Sequence, residues 1–148
     1  MNSVEPLDEL ASGEGQTVEF KKSLSQCDRG LEALCGMINA DLAQGAVWFG
    51  VRDDGQLAGI RAASLDRAQR KLSQKIKKFD PPVEPVVEVI EREGKRFIRV
   101  SAVRSQNVSC HEYDGRAFIR GGSITRKLSG AEKQALERRR NRHKHTGP

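Results

Sequence analysis

The run Gly45-Ala46-Val47-Trp48-Phe49-Gly50-Val51-Arg52-Asp53-Asp54-Gly55 decides the fold. Ala46–Val51 is apolar at almost every position, which suits a central strand covered on both faces. Arg52 to Gly55 then turns the chain. Asp54-Gly55 is a hairpin signal, because both residues tolerate the left-handed conformation such a turn needs. Gln56–Ile60 is the expected return strand.

Upstream, residues 1–13 are polar and acidic with Gly, Pro and Ser, and 1–12 read as a flexible lead-in with room for one short helix. Thr17–Lys22 alternates as a half-buried strand, with Val18 and Phe20 on one face and Glu19 and Lys21 on the other. Asp28 is placed to cap a helix whose apolar positions, Leu31, Leu34, Cys35, Ile38 and Leu42, keep helical spacing up to Gly45. Downstream, Ser64 can cap a second helix with a stripe of Leu65, Ala68, Leu72, Ile76 and Phe79, stopped by Asp80-Pro81-Pro82. Val86–Ile90 and Arg96–Val103 are two further strands, and Ala117–Arg120 is a last β-segment leading into Gly121-Gly122-Ser123. Ser129 and Glu132 form a capping box for a terminal helix that runs into a basic tail over 138–148. The sum is an α+β fold in a single domain, a mixed or antiparallel β-sheet with two or three packed helices. Its body spans residues 13–137.

The chain has 148 residues, 31% charged and 36% hydrophobic, with 26 Lys and Arg against 20 Asp and Glu, for a formal charge of +6. That balance favours nucleic acid, although an acidic membrane surface or protein would attract the same charge. No apolar run approaches the roughly 20 residues of a spanning helix. No signal peptide opens the sequence, so a cytoplasmic protein without membrane attachment is expected. Cys27, Cys35 and Cys110 form no CxxC pair, and their odd number argues against a disulfide framework. Cys110-His111 is half of a zinc pattern whose other half is missing.

Against this cationic background, Glu14, Glu19 and Asp53 stand near the Thr17–Leu24 segment. Three carboxylates that converge suit a hard ion, Mg²⁺ or Mn²⁺, which would face phosphate and activate water. Lys21, on the face of Glu19, could stabilise developing negative charge. Glu14, Glu19, Asp53 and Lys21 are therefore the candidate catalytic residues, the three acids being the metal ligands. The same residues also admit a structural reading: Glu14 a solvated loop acid, Glu19 paired with Lys21, Asp53 serving the turn. Asp54 is read mainly as a turn residue. Candidate phosphate contacts are Arg67, Arg70, Lys71, Lys75, Lys77 and Lys78 on the second helix, where Asp66 is the only acid. Arg120, Ser123, Thr125 and Arg126 offer cations and hydroxyls around a glycine turn. Trp48 and Phe49 fall in the apolar strand and read as core, so recognition by backbone and shape is expected over base stacking.

Three blocks in order resemble the AlbA-like DNA-binding domain of the Schlafen family. They are Glu14-Gly-Gln-Thr-Val-Glu19-Phe-Lys21, Gly45 to Gly55 with Gly59-Ile60, and Asp114-Gly-Arg-Ala-Phe-Ile-Arg120-Gly-Gly-Ser123. The resemblance covers roughly residues 13 to 130 and implies a mixed α/β domain that binds nucleic acid. In the family's nuclease branch it implies metal-dependent cutting of structured RNA such as tRNA, with the acidic trio at Glu14, Glu19 and Asp53. Two features depart from the pattern. A glycine pair expected soon after the asparagine, here Asn39, is reduced to Gly45. The animal nucleases resemble two joined lobes, whereas this chain has one, so a clamp would require a homodimer. Two functions stay open: a metal-dependent endoribonuclease, and a non-catalytic DNA- or RNA-binding regulatory module. No P-loop is present to support ATPase activity.

Overall fold

The computed structural model describes residues 6–144, and of 142–144 only the helical backbone. The first five residues of the lead-in and positions 145–148 of the tail lie outside the described residues. In chain order the elements are α1 (Pro6–Ser12), β1 (Val18–Lys21), α2 (Cys27–Asn39), β2 (Gln44–Phe49), α3 (Leu65–Ile76), β3 (Phe79–Asp80), β4 (Val86–Arg92), β5 (Lys95–Val103), β6 (Glu112–Tyr113), β7 (Phe118–Gly121), β8 (Ile124–Lys127) and α4 (Gly130–Lys144).

The main sheet runs β1-β2-β5-β4. β1 and β2 are parallel, with Val18 opposite Ala46 and Lys21 opposite Phe49. β2–β5 and β5–β4 are antiparallel. β2 lies inside the sheet with both faces covered, which is why its apolar run is continuous. Val47 and Phe49 enter the larger core with Leu31, Leu34 and Ile38 of α2, Leu72 of α3 and Ile98 and Val100 of β5. Trp48 enters the opposite core with Val18, Phe20, Val51 and Phe97, beneath Leu10 of α1. The Trp48 indole Nε1 donates to Glu9 at 2.8 Å, and Arg99 binds the same carboxylate, so α1 is tied to the sheet.

The Asp53–Gly55 turn reverses the chain, but the return does not form a strand. It makes only an isolated bridge, Val51 to Leu57. The reason lies in β2, whose two edges are already occupied by β1 and β5. Ala58 and Gly59 N–H groups instead close onto the Gly50 carbonyl, and Asp54 accepts from Gln56 N–H, the turn role expected of it.

α2 ends at Asn39 rather than near Gly45, and Leu42 is 61% exposed. Asn39 is fully buried, and its amide bonds the His111 N–H, the His111 carbonyl and the Phe118 carbonyl, which stitches α2 to β6 and β7. Asp28 is not the cap. It lies within the first turn of α2, where its carboxylate accepts from Tyr113 Oη and Lys75 Nζ. Ser64 occupies the cap position of α3 without a side-chain capping bond. Phe79 leaves the helix to pair with Tyr113 in the β3–β6 ladder. The Ser129–Glu132 capping box forms reciprocally. Beyond Gly122 a strand absent from the sequence reading, β8, folds back on β7.

Candidate functional site

β1 is an edge strand, and the candidate site is built on its face toward α2 and β7. Glu19 faces away from Val18 and Phe20, toward α2 and β7, as the alternation requires. Arg120 comes across from β7 to meet it. The Arg120 guanidinium is 3% exposed and all five of its N–H donors are used. Nη1 donates to Glu19 Oε1 and to Thr125 Oγ1. Nη2 donates to the carbonyls of Gly15 and Val18, and Nε to Gly15 again. Gln16 completes the seam by bonding the Arg120 carbonyl and the Gly122 N–H. Arg120 is thus a pillar of the site and not the exposed phosphate contact expected from sequence, because no donor is left over.

Glu14 closes the remaining edge of β1. Its Oε2 accepts from the Phe20 N–H at 2.9 Å. Burial, then a hydrogen bond shared with Glu19, push its carboxyl up to about 7, and the charge of Asp53 adds to the effect against the opposing Phe20 N–H. Burial also raises Glu19, but the proton from Glu14, the Arg120 bond and the charges of Arg120 and Lys21 outweigh it. That carboxylate is held below its usual range. Lys21 lies 3.4 Å from Glu19, the ion pair of the structural reading. Asp53 is exposed in its turn.

The acids therefore interact, yet they do not form a ready ion site. Among the described residues no three carboxylate, imidazole or thiolate groups stand in an arrangement that could hold a metal. The chemistry of the donor set explains this: Glu19 is neutralised by Arg120 and Lys21, and Glu14, pushed up to about 7, holds its proton until pH nears neutrality. As they stand, the residues do not fit Mg²⁺ or Mn²⁺.

Beside Glu19 opens a shallow cavity of about 260 Å³, with Lys21, Arg29, Glu32, Ser123 and Thr125 on its wall. Ser123 is exposed at its rim, whereas the Thr125 hydroxyl oxygen accepts from Arg120. Arg29 and Glu32 escaped the sequence reading. Both are polar positions on α2, three residues apart, and only the approach of β7 and β8 turns that face into a wall. Arg126 is engaged bidentately by Glu132. On α3, Lys71 and Lys75 point inward to the Leu24 carbonyl and Asp28, so they fasten α3 to α2 and to the turn that precedes it. Arg67, Arg70, Lys77 and Lys78 are exposed. The basic end of α4 is partly docked: Arg140 donates to the Ser109 and Asn39 carbonyls, and Leu136 packs on Cys110 and Leu128. The His111 ring is saturated, Nδ1 on the Pro81 carbonyl and Nε2 on Ser105 N–H, and burial holds it below its ordinary value. Its neighbour Cys110 is buried and free.

A parallel-antiparallel sheet backed by one buried helix, with a carboxyl pair locked by a β-hairpin arginine, defines an α/β domain of AlbA-like build. Residues 14–129 match the Schlafen AlbA_2 family, and the chain belongs to it. The fold is shared with the DIP2311 protein from Corynebacterium diphtheriae, at a TM-score of 0.59 and 20% identity over 83% of this chain and 24% of that one. This chain thus spans about a quarter of the Corynebacterium protein. It is also shared with the N-terminal domain of an ATP-dependent DNA helicase RecG-related protein from Nitrosomonas europaea, at 0.54 and 21% identity over 84% and 87% of the two chains. No curated protein matches the sequence. Among the described residues no helix is long and apolar enough to cross a membrane.

Proposed function

We propose that this chain is a nucleic-acid-binding domain that grips the phosphate backbone by charge and shape. The observation that carries the reading is the division of α3. Ala68 and Leu72 are buried and Lys71 and Lys75 tie the helix down, which leaves Arg67, Arg70, Lys77 and Lys78 in solvent with Asp66 the one acid among them. Arg70 and Asp66 are only loosely paired, at 3.9 Å with both side chains largely exposed, so the arginine is available. Such a face adds counterion-release energy wherever it meets a polynucleotide. Family membership supports the same reading. The test is a salt titration of binding to duplex DNA and to folded RNA, comparing the wild type with Arg67→Glu/Arg70→Glu. A shallower slope for the variant supports the reading, and an unchanged slope rejects this face.

A second reading, a metal-dependent endoribonuclease acting on structured, tRNA-like RNA, is favoured by one observation: burial first, then Glu19 and Asp53, push Glu14 up to about 7, as in a cluster of acids where a cation could take the place of a proton. When bound, Mg²⁺ or Mn²⁺ would supply charge neutralisation and a more acidic water. Because the present donor set does not fit the ion, the reading requires Asp53 and Glu14 to rearrange when RNA arrives. Labelled tRNA incubated with and without Mn²⁺ decides between the two. Cleavage that needs Mn²⁺ and is lost in Glu14→Gln and Asp53→Asn supports the enzyme, and binding without cleavage leaves the regulatory module.

A further inference from the structure

The two edges of the main sheet differ. The β1 edge is sealed: Phe20 N–H is held by Glu14, and the Val18 carbonyl by Gly15 N–H and Arg120. The β4 edge is open over seven residues. β4 and β5 join through Glu93-Gly94, both at positive φ (53° and 74°), the geometry of a two-residue primed turn. In such a hairpin the closing pair Arg92–Lys95 is hydrogen-bonded and the pairs alternate from there. The N–H and C=O groups of Val87, Val89 and Glu91 therefore point away from β5, and nothing among the described residues meets them. The side chains repeat the message. Val87 and Val89 lie opposite the buried Val100 and Ile98, yet are 39% and 43% exposed, and Val86 is 57% exposed. The apolar layer runs past its cover.

We propose that β4 is a self-association edge, on which β4 of a second copy of this chain pairs antiparallel to extend the four strands into an eight-stranded sheet. The sequence of the strand argues for a copy of itself. A two-fold axis at Ile90 sets Ile90 against Ile90 and Glu88 of each copy opposite Arg92 of the other. The pairing is thus self-complementary: Glu88, which already accepts from Arg99 at 3.0 Å, takes Arg92 of the other copy as a second cation, and Arg92 leaves its loose 3.6 Å contact with Glu93. An axis at Glu88 or Glu91 would instead face two glutamates, and one at Val89 would make no charge pair. Natural edges that must stay single are blunted by charge, above all lysine, by proline or by a bulge. β4 contains no lysine, proline or bulge, and its three charges, Glu88, Glu91 and Arg92, are of both signs. The inference is independent of what the domain binds.

The test is sedimentation equilibrium of the full chain over a dilution series, with Glu88→Arg and Arg92→Glu run separately and as an equal mixture. The wild type is expected to dimerise reversibly. Each variant alone sets like charges opposite one another twice and weakens association roughly ten- to thirty-fold. The mixture restores it, because each variant then supplies the charge its partner lacks. Val89→Lys, on the half-exposed outer strand, gives a monomer that still unfolds in one cooperative thermal transition, now independent of protein concentration. A wild type that stays monomeric, or variants that dimerise alone as well as they do mixed, would overturn the proposal.

Discussion

Arg120 and Glu19 form an ion pair inside the protein, one from β7 and the other from β1, and every remaining N–H of the arginine is spent on Thr125 or on backbone carbonyls of the Gly15–Val18 segment. The pair joins the C-terminal hairpin to the first strand across 101 residues of sequence. It also fixes the charge state of the carboxylate around which the site is built.

Truncating Arg120 to alanine leaves buried Glu19 with only Lys21 and Glu14 as partners, strips the Gly15 carbonyl of its guanidinium donors and takes one of two donors from the Val18 carbonyl. The expected loss is about 3–5 kcal/mol of stability, read by urea unfolding, since removing one partner of a buried pair strands the other. Glu19→Gln keeps the shape and should cost less. A loss under about 1 kcal/mol for Arg120→Ala would mark the pair as a surface contact.

Glu14 sets a pH dependence whose sign follows from its raised value. The folded protein retains a proton near pH 6 that the unfolded chain has released above about 4.5, so this group's contribution is full below 4.5 and is lost as pH rises through about 7. Glu19 has the opposite shift, and its contribution disappears only as pH falls below the ordinary glutamate value. His111, held low, loses stability below about its ordinary 6.5 and works against Glu14 in part of the same window. The difference between wild type and Glu14→Gln isolates the term. Between pH 4.5 and 7 the wild type should lose stability relative to the variant, and parallel curves would show that no proton is shared.

Gly45 is the one glycine left where the family pattern has two nearby, and the structure gives it a packing reason. A Cβ there would meet the Met37 side chain, with Met37 Cβ only 2.6 Å away. Gly45→Ala should therefore push α2 from β2 and cost on the order of 1–3 kcal/mol, measured by thermal or chemical unfolding. A neutral outcome would mean that α2 shifts freely.

Binding should follow ionic strength through α3. Replacing Arg67 and Arg70 by glutamate should flatten the slope of log K against log salt by about two, while Lys71→Gln and Lys75→Gln should chiefly lower the melting temperature. The reverse pattern would place the phosphates on the other side of the helix.

What the sequence determined by itself was local. Val18-Glu19-Phe20-Lys21 alternates, Gly45–Val51 stays apolar and Ser129–Glu132 carries its own cap, so strand, buried strand and helix start were all legible within a few residues. The three motif blocks were legible too, and so was the family. What the tertiary structure decided was pairing. Gln56–Ile60 looks like the second arm of a hairpin, yet β5, some forty residues on, took that edge of β2, and no local signal records which of two suitable strands wins. Arg120 beside Gly121-Gly122 looks like an exposed phosphate contact until β7 packs on α2 and its charge is buried on Glu19. Lys75 and Arg70 have the same charge in the same helix, and only the position of Asp28 on α2 separates an anchor from a solvent-facing cation. Burial and charge pairing are properties of what arrives from far along the chain, and for that reason they appear only once the chain has folded.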